Sequence, residues 1–194
     1  MVILTGANSG GKTSLLELIS QVTILAHMGF PVPAERAWVE PLDEVFFFRR
    51  KRSVYGGAGG AFETALRSFV RALRGEGGRK LILIDEFEAI TEPGAAVRII
   101  GELLKIAHER GGFYVVIVSH LGGDDLRKEL PFARVDGIEA KGLDENLNLI
   151  VDRQPVFGRL GRSTPPELIV ESLARRKRGK EREIFERVLR AFRE

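Results

Sequence analysis

A glycine-rich string near the start of the chain has the residue types and spacing of a phosphate-binding loop. Residues 6–13 read GANSGGKT, which fits the pattern G-x-x-x-x-G-K-[ST], and a short apolar run at 2–4 precedes it. Glycines have no Cβ, so the backbone can approach an anion closely, and the N–H groups of the following helical turn point at that anion. The string therefore predicts a site for the phosphates of a nucleoside triphosphate.

Two side chains of this string carry specific chemistry. Lys12 is predicted to reach the β- and γ-phosphates, and the Thr13 hydroxyl is predicted to bind Mg²⁺. A chance glycine-rich turn is the alternative, but the apolar positions that follow from Leu15 to Leu25 favour a loop that feeds a helix. The predicted nucleotide-binding residues are Gly6, Ala7, Asn8, Ser9, Gly10, Gly11, Lys12, Thr13 and Ser14.

A second acidic motif follows an apolar strand in the middle of the chain. Residues 81–84 read LILI, and Asp85 and Glu86 come directly after them. Asp85 is predicted to hold Mg²⁺, and Glu86 to orient or deprotonate the attacking water. An isolated Asp-Glu pair is more often a solvated strand end, but the phosphate loop in the same chain favours the catalytic interpretation.

One histidine completes the predicted catalytic set of Lys12, Glu86 and His120. His120 follows the apolar strand near 114–118, and ligands of open α/β sheets bind at the carboxyl ends of strands. There it can sense the γ-phosphate and hydrogen-bond the attacking water. Without the other motifs, His120 would be interpreted as an ordinary surface histidine. His27 and His108 fall within predicted helices, so we assign them structural roles.

Composition limits the class of protein. A chain of 194 residues suits one domain, and the absence of cysteine excludes disulfides and thiolate-bound zinc or iron–sulfur centres. No run of 18 apolar residues occurs, so we expect a soluble, cytoplasmic protein. Charged residues make up 29% and Asn and Gln are scarce, a balance that resembles thermophile proteins.

The net charge of +3 is unevenly distributed. Residues 171–194 contain nine Lys or Arg and five Glu, so the preceding 170 residues sum to −1. The basic run at 175–180 can contact DNA phosphates or can simply be a solvated helix end, and the sequence leaves both open. It lacks interleaved aromatic residues, so base stacking is not indicated.

Strands and helices alternate along most of the chain, which predicts an α/β fold with a mainly parallel sheet. Strands are predicted near 2–5, 45–48, 81–84 and 114–118, and helices near 12–28, 61–74, 94–109, 165–176 and 181–193. The 12–28 helix is apolar on most sides and is expected to be largely buried. Ile138, Leu147, Leu149 and Val151 around a turn at 144–146 predict an antiparallel hairpin. We predict a core at 1–155 and a C-terminal helical segment at 156–194. The apolar stripe of the last helix is expected to be buried either against this chain's own core or, as we favour, against a second subunit.

Five segments taken together resemble the ATPase domain of MutS proteins. They are GANSGGKTSLLELISQVTILAHMGFPVPAE (6–35), Pro41-Leu42-Asp43 with Val45-Phe46, LILIDEFEAITEPGAA (81–96), VSH (118–120) and GRLGRSTPPELIVESL (158–173). The third segment is closest to the MutS-like branch not devoted to mismatch repair.

The resemblance implies a P-loop ATPase of the ABC class that works as a head-to-tail homodimer in DNA repair, mismatch repair or recombination. ATP and Mg²⁺ would lie between the phosphate loop of one subunit and a signature segment of the other. DNA would be bound through other domains of the parent protein, which would be nucleoid-associated. This chain would be either an excised part of that parent, which we favour, or a reduced form of it.

One segment departs from the family pattern. MutS proteins usually have a Ser-Thr-Phe string before the 61–74 helix, whereas this chain has glycines and alanine at 56–61, followed by Phe62 and an acidic residue, Glu63, that does match. We expect the 56–60 segment to be a flexible loop whose glycine amides replace the missing hydroxyls as an anion-binding nest.

Three other functions compete with this interpretation. An ATPase head of the SMC/RecF kind shares the loop, the Asp-Glu pair and the histidine, but not the V-P-A and GRST segments. A small-molecule kinase needs an arginine-rich lid, for which the run at 49–52 is a poor candidate. A dimerisation module would bind nucleotide only to assemble.

Overall fold

The computed structural model describes residues 1–6, 10–49, 58–75, 78–85, 93–119, 128, 130–144, 149–161 and 166–191. Within these residues the strands are β1 (Val2–Gly6), β2 (Glu44–Arg49), β3 (Lys80–Asp85), β4 (Phe113–Val118), β5 (Arg134–Ile138), β6 (Ala140–Leu143) and β7 (Leu149–Val151). The helices are α1 (Lys12–His27), α2 (Ala58–Arg74), α3 (Pro93–Arg110), α4 (Pro166–Arg176) and α5 (Lys180–Ala191).

Five of the strands form one parallel sheet in the order β2-β3-β4-β1-β5. The predicted α/β class with a mainly parallel sheet flanked by helices is therefore confirmed. β4 lies between β1 and β3, with Leu4 paired to Val118 and Val118 paired to Asp85. Because all five strands run the same way, their carboxyl ends meet at one edge of the sheet.

The sheet is covered on both faces, which explains the continuous apolar run of β3. Ile82 and Ile84 pack in one core cluster with α2 and α3, whereas Leu81 and Leu83 pack in a second cluster with Leu16 of α1. Successive side chains of a strand point to opposite faces, so both faces of β3 require apolar residues.

Helix α1 is less buried than its apolar composition predicted. Among its residues only Lys12, Leu16 and Thr23 are buried, while Leu18 and Ile24 are exposed. A helix on one face of a sheet buries a single stripe, and no described residue covers the opposite side of α1. The helix ends at His27, and Gly29, which adopts φ 73°, follows two residues later and donates its N–H to the Ala26 carbonyl.

The predicted hairpin is confirmed for β6 and β7, which pair antiparallel. Ile138 does not belong to it, because β5 is instead the fifth parallel strand beside β1. Lys141 and Asp152 join the hairpin through an ion pair of 2.7 Å, whose hydrogen bond lowers the pKa of Asp152 below its ordinary value of 3.8. The turn at 145–148 lies outside the described residues.

The two C-terminal helices are present and pack against each other. No residue of α5 is fully buried, and Ile184 and Val188 remain 62% and 42% exposed. No described helix is long and apolar enough to cross a membrane.

The amino edge of the sheet contains a network that the sequence did not indicate. Lys80 is only 2% exposed, and its Nζ donates to the Ala72 carbonyl of α2 at 3.2 Å and pairs with Glu44 at 3.2 Å. This contact ties the end of α2 to the start of β2. Two histidines also have the structural contacts predicted for them: His27 accepts the Leu42 N–H at 2.8 Å, and the His108 ring stacks on Phe132.

Candidate functional site at the carboxyl edge of the sheet

The phosphate-loop string begins at the end of β1 and leads into α1. Gly6 has φ 122°, and a Cβ placed on it would lie 1.9 Å from the Ile138 carbonyl oxygen, so only glycine fits against β5. Gly11 precedes α1 with φ 81°, and no described side chain caps this helix. Its first turn also lacks acidic residues. A helix N-terminus with these features attracts anions.

Lys12 is positioned at this helix start and is only 3% exposed. Its Nζ donates to the carbonyl oxygen of Gly6 at 2.7 Å, so the ammonium group lies back across the loop beside the end of β1. A lysine ammonium held between the end of β1 and the start of α1 supplies a point charge at that position.

Thr13 and Asp85 meet although 72 residues separate them in the sequence. The Thr13 hydroxyl donates to Asp85 Oδ1 at 3.1 Å, and Asp85 is 7% exposed at the end of β3. Oxygen atoms are the ligands that Mg²⁺ prefers, and this contact brings a hydroxyl oxygen and a carboxylate oxygen together at one place.

Strand order places the third predicted element beside the other two. β4 lies between β1 and β3, and the N–H of Ser119 at its end donates to the Leu4 carbonyl at 3.1 Å. Ser119 is buried. The carboxyl end of β4 therefore lies between the end of β1, where the glycine-rich string begins, and Asp85 at the end of β3.

Several predicted site residues cannot be placed. Ala7, Asn8, Ser9, Glu86 and His120 lie outside the described residues. Among those that are described, Gly10 is buried and Ser14 is exposed on α1. In the described part of the chain, no three His, Asp or Glu side chains form a metal-binding group.

The glycine-rich segment before α2 differs in part from its predicted loop. α2 begins at Ala58, so Gly59 and Gly60 belong to the helix, while 56–57 lie outside the described residues. Helical amides at this position are oriented in parallel, which is the arrangement that binds anions at a helix start.

The 156–161 segment is a part of the site that sequence reasoning missed. The N–H of Gly161 donates to Thr5 Oγ1 at 2.9 Å, and Thr5 Oγ1 donates in turn to the Asp136 carbonyl at 3.3 Å. A Cβ on Gly161 would lie 2.7 Å from both the Thr5 carbonyl oxygen and the Ile138 nitrogen. Because Thr5 immediately precedes Gly6, this segment buttresses the strand end that carries the phosphate loop.

A buried carboxylate holds the other end of the same segment. Asp136 accepts a bidentate pair from Arg134 at 2.8 to 3.1 Å and the Gly158 N–H at 2.9 Å. The Arg134 guanidinium lies 4.7 Å from the centre of the Phe157 ring. The sequence signal was the closely spaced pair Gly158 and Gly161, but nothing local indicated that their partners are in β1 and β5.

Together the fold and the site define an α/β chain with a glycine-rich loop, a buried lysine and a Thr–Asp oxygen pair at the carboxyl edge of a parallel sheet. A family model described as MutS domain V matches residues 2–105, which is more than half of the chain. The chain therefore belongs to the MutS family.

Individual relatives agree with this assignment. The DNA-binding protein MutS2 of Pyrococcus furiosus is 74% identical over 193 residues, which are 100% of this chain and 33% of that protein. The endonuclease MutS2 of Listeria welshimeri serovar 6b is 31% identical over 122 residues, covering 61% of this chain and 15% of that protein. The DNA mismatch repair protein MutS of Natronomonas pharaonis is 27% identical over 135 residues, covering 69% and 16%.

The chain thus spans about a third or less of the length of these relatives. Among solved structures, the cytoplasmic domain of the type VII secretion ATPase EccC from Thermomonospora curvata aligns with a TM-score of 0.43 and 16% identity. That alignment covers 70% of this chain and 19% of that one.

Proposed function

We propose that this chain binds ATP with Mg²⁺ and hydrolyses it, as the P-loop ATPase domain, of the ABC type, of a MutS-like DNA repair or recombination protein. The observation that carries the proposal is the contact between Thr13 and Asp85 at 3.1 Å, next to the buried Lys12. Family membership and the names of the relatives, which include DNA binding and mismatch repair, support the biological setting.

The residues present fit the two groups that the function requires. Thr13 and Asp85 supply paired oxygen atoms for Mg²⁺, which when bound neutralises phosphate charge. The amides after Gly10 and the Lys12 ammonium supply positive charge for the phosphates. The site residues proposed for the nucleotide are Gly6, Ala7, Asn8, Ser9, Gly10, Gly11, Lys12, Thr13 and Ser14.

Two further roles belong to residues at the same edge. Glu86 follows Asp85 directly, and we assign it the general base that takes a proton from the attacking water. His120 follows Ser119 at the end of β4, and we assign it a hydrogen bond to that water. Both assignments rest on sequence adjacency. Glu86 directly follows Asp85 at the end of β3, and His120 follows Ser119 after β4, which pairs with β3.

The ATPase is proposed to act as a homodimer, with the amides at the start of α2 facing the partner's nucleotide. The C-terminal segment 156–194 is proposed as a second subunit contact, since Ile184 and Val188 leave an apolar face of α5 exposed. An SMC/RecF-type head is not favoured, because the family match is to MutS domain V.

Glu86→Gln tests the proposal most directly, because the amide keeps the shape of the side chain and removes the base. We expect Mg-ATP affinity to persist in isothermal titration and steady-state turnover to fall about 10²–10⁴-fold. Light scattering of the same variant with and without Mg-ATP should show nucleotide-dependent association, since the trapped complex does not turn over.

Glu88→Gln is the matched control, because it makes the same chemical change two residues further along. We expect it to retain the parent turnover. Hydrolysis by Glu86→Gln at the parent rate would remove Glu86 from the mechanism, and an absence of ATP binding by the unmodified chain would overturn the proposed function.

A further inference from the structure

The turn between α4 and α5 concentrates exposed positive charge. α4 ends at Arg176 and α5 starts at Lys180, and Gly179 closes the turn with φ 60°. The described residues from Arg175 onward include eight Lys or Arg and three Glu, all but one of them exposed. The helical hairpin formed by α4 and α5 therefore presents a basic surface. The other residues of the protein sum to a net charge close to zero.

Some of these cations have a structural explanation. Lys177 pairs with Glu181 at 3.1 Å, Arg182 pairs with Glu186 at 2.7 Å, and Arg175 pairs with Glu171. Arg175 and Arg176 also lie in the last turn of α4, where positive charge is favourable to the helix dipole. These side chains stabilise the hairpin itself.

Four other cations form no such ion pair in the described part of the chain, although one of them, Arg190, does lie in the last turn of α5, where the helix dipole favours positive charge. Arg178, Lys180, Arg187 and Arg190 are exposed, and none of them has an ion pair among the described residues. Lys180 is the first residue of α5, where the helix dipole disfavours positive charge. Arg178 lies in the turn that precedes it.

Helical geometry aligns these cations along one edge of α5. Lys180 and Arg187 are seven residues apart, which is close to two full turns, and Arg190 is a further three residues along. Lys180 and Arg187 are thus separated by a rise on the order of 10 Å, about three phosphate spacings of one DNA strand. Glu183 lies on the same edge, so the net charge of this row is +2 and Arg178 extends it to +3.

We propose that Arg178, Lys180, Arg187 and Arg190 form a docking surface for the sugar–phosphate backbone of duplex DNA. The proposal deepens the proposed function, because it gives this domain a DNA contact of its own. The observation that carries it is charge complementarity: a row of exposed cations with no ion pair among the described residues matches a polyanion. A second copy of the same row would be repelled.

The surface is expected to bind without sequence preference. Among the described residues of α5 the one aromatic side chain, Phe185, is half-buried, so stacking on bases is not indicated there. Ile184 and Val188 lie on the neighbouring face of α5, so a subunit contact there leaves the basic edge accessible.

Fluorescence anisotropy with a fluorescein-labelled, mixed-sequence 20-bp duplex tests the proposal on the 194-residue chain. Arg178→Glu with Lys180→Glu should weaken binding at least about tenfold near 0.1 M salt and reduce the slope of log K against log salt by about 2. Arg187→Glu with Arg190→Glu should do the same. ATP turnover should be unchanged in both, which separates this proposal from the ATPase proposal.

Arg36→Glu with Arg71→Glu is the matched control, because it changes the net charge equally at two exposed arginines elsewhere that also have no ion pair among the described residues. We expect it to keep the parent affinity within about twofold. If the control and the α4–α5 variants weakened DNA binding equally, overall charge would explain the effect and the proposal would be overturned. A chain that does not bind the duplex would also overturn it, as would α4–α5 variants that change molecular mass and leave DNA affinity intact.

Discussion

Two lysines are buried at opposite edges of the same parallel sheet, and they illustrate two different uses of a buried charge. At the amino edge, Lys80 is held between the Ala72 carbonyl and the Glu44 carboxylate, so it connects α2 to the sheet. At the carboxyl edge, Lys12 donates to the carbonyl of Gly6 within a glycine-rich loop, beside the Thr13–Asp85 oxygen pair. Burial alone therefore does not identify a functional lysine, whereas the chemistry that surrounds it does.

The contacts made by other residues around the two edges of the sheet can also be compared. The amino edge is occupied by side-chain pairs: Asp43 accepts the Arg79 N–H at 2.7 Å, and Tyr114 donates to Glu40. The carboxyl edge has close backbone contacts at three glycines, Gly6, Gly137 and Gly161, where a Cβ would lie 1.9 to 2.7 Å from backbone atoms. The amino edge has one such backbone contact among the described residues, at Gly112, where a Cβ would lie 2.9 Å from the Gly78 carbonyl oxygen.

The largest effect is expected from substituting each buried lysine with methionine, which preserves much of the side-chain volume. Lys12→Met should lower Mg-ATP affinity about 100-fold, because hydrogen bonds from a charged group contribute about 1.5–3 kcal/mol each. Lys80→Met should leave that affinity unchanged, and any effect should appear in the melting temperature, because Ala72 loses its donor. Isothermal titration and thermal melts measure both quantities.

Equal losses of ATP affinity in the two variants would show that Lys12 acts through the fold, and would remove the distinction between the edges. An unchanged affinity in Lys12→Met would contradict the phosphate-binding role.

A smaller effect is expected from glycine substitutions at the two edges. Gly161→Ala places a Cβ 2.7 Å from the Thr5 carbonyl oxygen and the Ile138 nitrogen, so we expect a destabilisation of about 1–3 kcal/mol. Because Thr5 precedes the phosphate loop, ATP affinity should fall as well. Gly112→Ala at the amino edge has φ 76° and a contact of 2.9 Å with the Gly78 carbonyl oxygen, so it should destabilise without changing ATP affinity.

Urea unfolding followed by titration of the folded variants with Mg-ATP distinguishes the two positions. A Gly161→Ala variant that is destabilised but binds ATP normally would mean that the 156–161 segment supports the sheet and not the loop.

Local sequence patterns predicted most helices and strands, but they could not predict contacts between residues that are far apart in the sequence. β1, β3 with Asp85, and α1 to α3 follow from short motifs and apolar periodicity. The contact between Thr5 and Gly161 spans 156 residues and has no local signature. Ile138 was assigned to the hairpin because alternating apolar residues look alike in β5 and β7, and only pairing with β1 distinguishes them.

Lys80 was missed for a related reason. A lysine at the start of an apolar strand reads as a solvated strand end, and its burial depends on α2 folding over it. Glu86 and His120, by contrast, were assigned from their position after strands, and they remain predictions because they lie outside the described residues.

The smallest effect is expected at the surface of the amino edge, where Tyr114 donates to Glu40. This hydrogen bond raises the pKa of Tyr114 above its ordinary value of 10.0, since ionisation would remove the donor and place two negative charges together. A raised pKa in the folded state means that the contribution to stability is present below pH 10 and is lost as the pH rises through the raised value. Glu40→Gln should therefore return the midpoint of Tyr114 ionisation towards 10.0.

Ultraviolet titration of tyrosinate measures this midpoint, and Tyr114→Phe identifies the signal because the chain contains only two tyrosines. Addition of Mg-ATP should leave the midpoint unchanged, because Tyr114 is at the start of β4 and the nucleotide is proposed to bind at its other end. A midpoint that shifts with Mg-ATP would show that the two edges are coupled through β4, and the separation of a structural edge from a functional edge would then be wrong.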